Sequence, residues 1–210
     1  MAFTVRVFGI FTKGALSSGD ATQRRARVLD DIARANQAWG AGFPGGIRCE
    51  INFELARIYN ATNTVIDGNK VVDASNQGVT DLITKVRRSE NDTSAIYVVY
   101  ASGPTLAGGV SVGSAGPFPK FNDPTKFIGQ AVMTDRSANT FAFAHEAGHV
   151  LFGRLDPIAN AITRIDPSTG QEHNNQMDNL MFPIVPNQAP LINTEQCIKA
   201  RQSNVIVENS

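Results

Sequence analysis

Apolar and polar residues change their period several times along this chain, and each change marks an element. "FTVRVFGIF" (3–11) alternates loosely and is rich in β-branched and aromatic residues, which predicts a strand. Asp20 followed three residues later by Gln23 has the form of a capping box. Val28, Ile32, Ala35 and Trp39 then recur at spacings of three and four, the apolar stripe of a helix that runs to about residue 40. "GAGFPGG" (40–46) ends it as a loop. "IRCEINFEL" (47–55) predicts a second strand, and "NTVIDGNKVV" (63–72) a hairpin turning at Asp67-Gly68. "GVTDLITKVRR" (78–88) reads as a shorter helix, and "SAIYVVYAS" (94–102) as the clearest strand, because Ile96 to Tyr100 form an unbroken β-favouring run. Glycine-rich residues 103–119 read as loop with a short strand near Gly109 to Val112, and "FIGQAVMTD" (127–135) as the next strand. A largely apolar helix follows, with Ser137 or Asn139 as its cap. The pattern is irregular after Gly153 until a C-terminal helix opened by Asn193. The order βαββαβββαα is that of a mixed α/β (α+β) fold in one domain, residues 1–210, without repeats or linkers.

Composition narrows the class. The 210 residues suffice for one domain with a sizeable core, and 42% hydrophobic with 18% charged residues is ordinary for a globular chain. Nineteen basic and nineteen acidic side chains give a net charge of zero, which speaks against nucleic acid or an anionic membrane as partner. The doubled cations Arg24-Arg25 and Arg87-Arg88 are expected on solvated helix faces. "MAFTVRVFGIF" has no basic leader and no small-residue cleavage site, so it reads as a strand and not a signal peptide. No apolar run approaches the ~18 residues of a membrane span. Cys49 and Cys197 are too far apart for a CxxC pair or a zinc cluster; one long-range disulfide and two buried thiols are both open.

The chemistry concentrates in "FAHEAGHVLFGRLD" (143–156). On a helix, residues i and i+4 lie ~40° apart on one face, so His145 and His149 direct two imidazoles at one ion. Glu146 sits beside them, where a carboxylate takes a proton from water without binding the metal itself; this is the content of the HExxH motif. Phe141, Phe143, Ala144, Ala147, Val150 and Leu151 make the helix apolar and therefore buried. Burying two histidines and a glutamate with no partner is costly, and a metal ion removes the cost.

With a later "DNLMFP" (178–183), this motif resembles the metzincin group of zinc endopeptidases, which read HExxHxxGxxH or D and carry a methionine turn downstream. The resemblance implies a single catalytic domain with a mixed twisted sheet and long helices, one bearing HExxH. It implies one catalytic Zn2+, with Met181 packed beneath the ligands as the Met turn. Here the glycine comes one residue late, at Gly153, and the usual place of the third ligand is taken by Leu155, which binds no metal. Asp156 keeps the Gly-x-x-ligand spacing. The alternative is His173 in "EHNNQMDNLM", a run that resembles uncharacterised bacterial HExxH proteins with a His, a polar stretch and then Asn-Leu-Met. Those also end in Thr-x-Glu-Gln-Cys-x-x-x-Arg, which "NTEQCIKAR" (193–201) matches except that its Thr adjoins the Glu. All three histidines of the chain lie within residues 145–173, which favours His173; Asp156 then orients a ligand imidazole. Phe182 stands where some relatives carry tyrosine, so no phenolic donor is assigned.

By the same resemblance, an extended peptide binds along an edge strand near "AGGVSVG" (107–113). Cys49 and Cys197 form a disulfide that ties the C-terminal helix to an early strand, and the setting is secreted or extracytoplasmic. The function expected is that of a monomeric zinc-dependent metalloendopeptidase acting on protein or peptide, with Glu146 as general base. Two alternatives stay open. One is a thermolysin-like zinc hydrolase with Glu195 as third ligand, and the other a non-catalytic binding protein stabilised by zinc.

Overall fold

The computed structural model describes residues 2–15, 19–156 and 161–209. Among them a mixed sheet centres on β1 (Ala2–Thr12), paired in parallel with β2 (Ile51–Ala61) on one side and β3 (Ile96–Tyr100) on the other. Beyond β3 come β5 (Phe127–Met133), also parallel, and then the antiparallel β4 (Gly113–Pro119), which ends the sheet. Residues β6 (Arg154–Asp156) and β7 (Ala161–Thr163) form a separate antiparallel pair, and β8 (Ile206–Asn209) runs antiparallel to the start of β1.

The sheet is covered on both faces, which explains the nearly continuous apolar runs of its inner strands. Val5, Val7 and Phe11 of β1, with Ile96, Val98 and Tyr100 of β3, face a core shared with α1 (Ala21–Ala35), α3 (Ala142–Leu151) and α4 (Thr194–Arg201). Phe8, Ile10, Tyr97 and Val99 face the opposite core, against α2 (Gln77–Ser89). Helix α1 starts where Asp20 accepts the Gln23 N–H, and it ends in a π-type turn, Asn36–Ala41. That turn aims the buried Trp39 at α3, where its indole N–H donates to Ala144 O at 2.9 Å. No helix of the described residues is long and apolar enough to cross a membrane.

Several expectations are corrected. Residues 63–72 form no hairpin: Asp67 caps a short 3-10 turn at Gly68–Lys70, and Gly68 N–H binds Ser102 O. Asp-Gly serves here because a side chain at 68 would meet the carbonyls of Ser102 and Thr105 at 2.9 and 2.8 Å. Gly109–Val112 is not a strand, since Gly109 N–H closes onto Leu106 O and Leu106 N–H onto Ser111 O; the edge strand begins at Gly113. Helix α3 is capped by neither Ser137 nor Asn139. Asn139 is left-handed (φ 60°), unlike an extended N-cap, and the Ser137 hydroxyl is bound to Arg27 and Thr134. The Thr140 hydroxyl instead accepts the Ala142 N–H. Arg87 is not solvated: it is buried in an ion pair with Asp92 at 2.7 Å and lies over the Phe121 ring.

Helix α3 lies close on β5 because position 129 is glycine: a Cβ there would sit 2.8 Å from both Val150 Cγ1 and Ile96 Cγ1. Overpacking of this kind costs about 1–3 kcal/mol. Gly129→Ala is therefore expected to lower the Tm by roughly 2–12 °C, with part of the loss recovered in Gly129→Ala/Val150→Ala. Calorimetry on the two variants is the check, and unchanged melting of the single variant would remove this contact as a constraint.

Candidate metal centre

All ten residues of α3 are buried, which fixes the rotation of its histidines. His145 Nδ1 lies 2.7 Å from Leu180 O. A carbonyl only accepts, so Nδ1 carries the proton and the Nε2 lone pair is free to bind. That Nε2 is 3.1 Å from His149 Nε2. His173 completes the group, with its ring 5.3 Å from His145 and 4.9 Å from His149. One ligand atom from each of the three lies within 4.8 Å of the others.

This donor set fits a metal ion. Bonds of 2.0–2.1 Å at a tetrahedral angle place two ligand nitrogens roughly 3.3 Å apart, close to the 3.1 Å between the two Nε2 atoms. The Nδ1–H of His145 held by a carbonyl is the usual way to fix a ligand tautomer. Burial pushes the pKa of His145 down to about 4 and that of His149 well below 6.5; His173 is lowered by the same cause. All three are thus neutral near pH 7, the form that binds metal. His149 Nδ1 is buried with no hydrogen-bond partner, so protein hydrogen bonds alone do not account for burying this cluster.

A buried polar knot holds His173 in place. Asp166, with no exposed surface, accepts from the N–H and hydroxyl of Ser168 through one oxygen. Its other oxygen accepts from Asn174 Nδ2 and Gln196 Nε2. Gln196, in the first turn of α4, exchanges amide hydrogen bonds with Asn179 and completes a capping box with Asn193. Asn179 Oδ1 accepts the Met181 N–H, and Asn174 N–H donates to Met181 O. Two consecutive carbonyls, Leu180 and Met181, therefore hold His145 and the residue after His173. The Cys49–Cys197 disulfide, with Cα atoms 5.2 Å apart, anchors α4 next to Gln196.

Glu146 is buried between α3 and β4, 8% exposed. Burial raises its pKa to about 8, offset in part by the Arg164 charge and by the Ala115 N–H it accepts. Arg164 donates to Ala115 O at 2.6 Å and pairs with Glu172 at 2.6 Å. These groups line a cleft of about 780 Å³ together with Pro183, Ile184 and Val185.

Of the residues singled out in the sequence, the fold brings His145, Glu146, His149 and His173 into one cleft. Asp156 lies in β6, opposite Ala161, and its side chain is outside the described residues. Glu195 is exposed on α4 and is not part of the histidine group. Met181 is fully buried, and a Cβ at Gly148 would run into its sulfur and stand 3.1 Å from Trp39. Phe182 follows it with no assigned role. The Arg164–Glu172 pair has no local sequence signal, whereas the Asp166–Gln196 knot has two, "DPS" at 166–168 as an Asx turn and "NTEQ" at 193–196 as a capping box.

Removing Gln196 frees Asp166, Asn179 and the His173 loop together. Gln196→Ala is expected to weaken metal binding about 10–100-fold in chelator competition, as for other residues that support ligands; unchanged affinity would show that the loop holds His173 unaided. Without metal, Glu146 keeps its proton up to about pH 8 in the folded chain but releases it near 4.5 when unfolded. Stability from this group therefore falls as pH rises between those values. The histidines act oppositely, with stability lost as pH falls from 6.5 towards 4. Glu146→Gln should raise the Tm of metal-free protein at pH 9 more than at pH 5 and leave the acid loss in place. An equal shift at both pH values would refute the burial argument.

The sequence matches no family model and no curated protein. In shape the chain is similar to metalloproteinase-II from Bacteroides fragilis, with a TM-score of 0.58 and 15% sequence identity. The match covers 94% of this chain and 52% of that one, so the chain spans about half the length of the protein it resembles. At this identity the likeness is one of fold: the mixed α/β architecture described above is shared with a bacterial metalloproteinase.

Proposed function

We propose that this protein is a zinc-dependent endopeptidase of metzincin type, with His145, His149 and His173 as ligands and Glu146 as general base. The observation that carries the reading is the convergence of three neutral imidazoles beside a buried carboxyl in an open cleft. His145, His149 and His173 would hold a zinc ion, which would supply a Lewis acid able to acidify water to a pKa of about 7 and to polarise a peptide carbonyl. Glu146 takes the proton of the attacking water on its carboxylate and passes it to the leaving amine. Burial raises its pKa in the metal-free site, and a neighbouring dication would favour the ionised form that accepts the proton. The Met181 side chain packs beneath the histidine helix and is not a ligand. A single domain acting as a monomer on protein or peptide suffices for this chemistry, and the disulfide suits an oxidising, extracytoplasmic setting.

A purely structural zinc site would have no use for Glu146, whose burial is unfavourable to its charge. The test is zinc content and peptide cleavage of the wild type, His173→Ala and Glu146→Gln, purified identically. Near-stoichiometric zinc and chelator-sensitive cleavage are expected in the wild type. His173→Ala should lose the metal, and Glu146→Gln should keep it while turnover drops at least 100-fold. Retained turnover in Glu146→Gln ends the mechanism, and full zinc in His173→Ala moves the third ligand elsewhere, with Asp156→Ala the next variant to assay.

A further inference from the structure

The edge of β4 that faces the cleft is unequal along its length. Thr134 N–H donates to Val112 O at 3.0 Å and Lys120 N–H to Lys126 O at 2.9 Å, and these bonds bracket the ladder with β5. Between them the register pairs Ser114 with Val132, Gly116 with Gln130 and Phe118 with Ile128. Antiparallel pairing alternates, so the even-numbered residues bond to β5, and the backbone groups of Gly113, Ala115, Pro117 and Pro119 point to the open edge. Pro117 and Pro119 have no N–H to offer. At Ala115 the carbonyl is engaged by Arg164, so the residue cannot offer a strand its full pair of backbone bonds. The Arg164 guanidinium lies against Gly116, 3.4 Å from where its Cβ would be, and is braced by Glu172. A peptide laid on this edge therefore finds complete backbone pairing only at Gly113.

On the Gly113 side the cleft offers apolar contacts instead. Val110, 90% exposed, and Val112 lie just before Gly113 and line the cleft; Ile184, 78% exposed, lines the same cleft. From this asymmetry, and resting on the peptidase reading above, we infer that substrate is recognised on one side of the cleaved bond only. Paired antiparallel to β4, the more stable arrangement per residue, the peptide puts the residues C-terminal to that bond beside Val110–Gly113. Its N-terminal side meets the Arg164–Glu172 pair and the two prolines, and gains no strand pairing beyond Ala115. Arg164 is thus a specificity-determining residue, occupying the carbonyl that a longer N-terminal segment would use.

The test is a set of fluorescent peptides with one cleavable bond, extended stepwise from one to four residues on either side. Binding to Glu146→Gln is read by anisotropy and cleavage by the zinc-loaded wild type as kcat/KM. Lengthening the C-terminal side is expected to improve both values at least 10-fold, and lengthening the N-terminal side to change them less than 3-fold. Arg164→Ala should raise the ratio of N-terminally extended to unextended peptide by roughly 2- to 10-fold, the range of one hydrogen bond. Arg164→Ala/Pro117→Ala, which restores a donor on the edge, should raise it further. Equal dependence on the two sides, or a stronger one on the N-terminal side, overturns the inference, as does an Arg164→Ala ratio equal to that of the wild type. Absence of cleavage with asymmetric binding by Glu146→Gln would end the peptidase reading and leave the one-sided cleft standing.

Discussion

The carboxylate of Asp166 has no exposed surface, and the candidate site depends on how its charge is accommodated. It is held by four neutral donors, from Ser168, Asn174 and Gln196. Leaving a buried charge short of donors costs several kcal/mol, so the segments bringing these donors must close together or not at all. They are the loop bearing His173, the turn before Met181 and the first turn of α4. The position of a half-exposed histidine is thus set by buried groups that touch no ligand.

The helix bearing His145 and His149 needs no such device. Its ten residues are buried, Trp39 from the end of α1 binds one of its carbonyls, and Gly129 lets it rest on β5. Apolar packing sets two of the three imidazoles and polar bonding the third. The Leu180–Met181 segment joins the two systems, because one of its carbonyls serves each.

What the sequence made legible follows this division. Helices α1 and α2 are written in hydrophobic period, and strands β1, β3 and β5 and the HExxH helix in apolar runs, because burial selects residue type directly. The order of strands is not local information and was not readable. Strand β4 reads as loop in the sequence because "GSAGPFP" has little β propensity. An edge position tolerates it, with Pro117 and Pro119 where no ladder donor is required. Arg87 differs from its sequence expectation for a related reason: a charge pair in sequence gives no sign that one member finds Asp92 across a turn. Cys49 and Cys197 left bonded and free states open until the fold set their Cα atoms 5.2 Å apart.

The contact between Gly148 and the sulfur of Met181 has a consequence for how this chain can change over time. The two positions share one volume, so neither has a set of acceptable residues of its own. A larger residue at 148 is tolerable only after 181 has shrunk, and a smaller residue at 181 leaves a void until 148 grows. Each order of steps passes through a strained or hollow intermediate beneath the histidines. The pair is therefore epistatic, and single-step drift leaves both residues where they are.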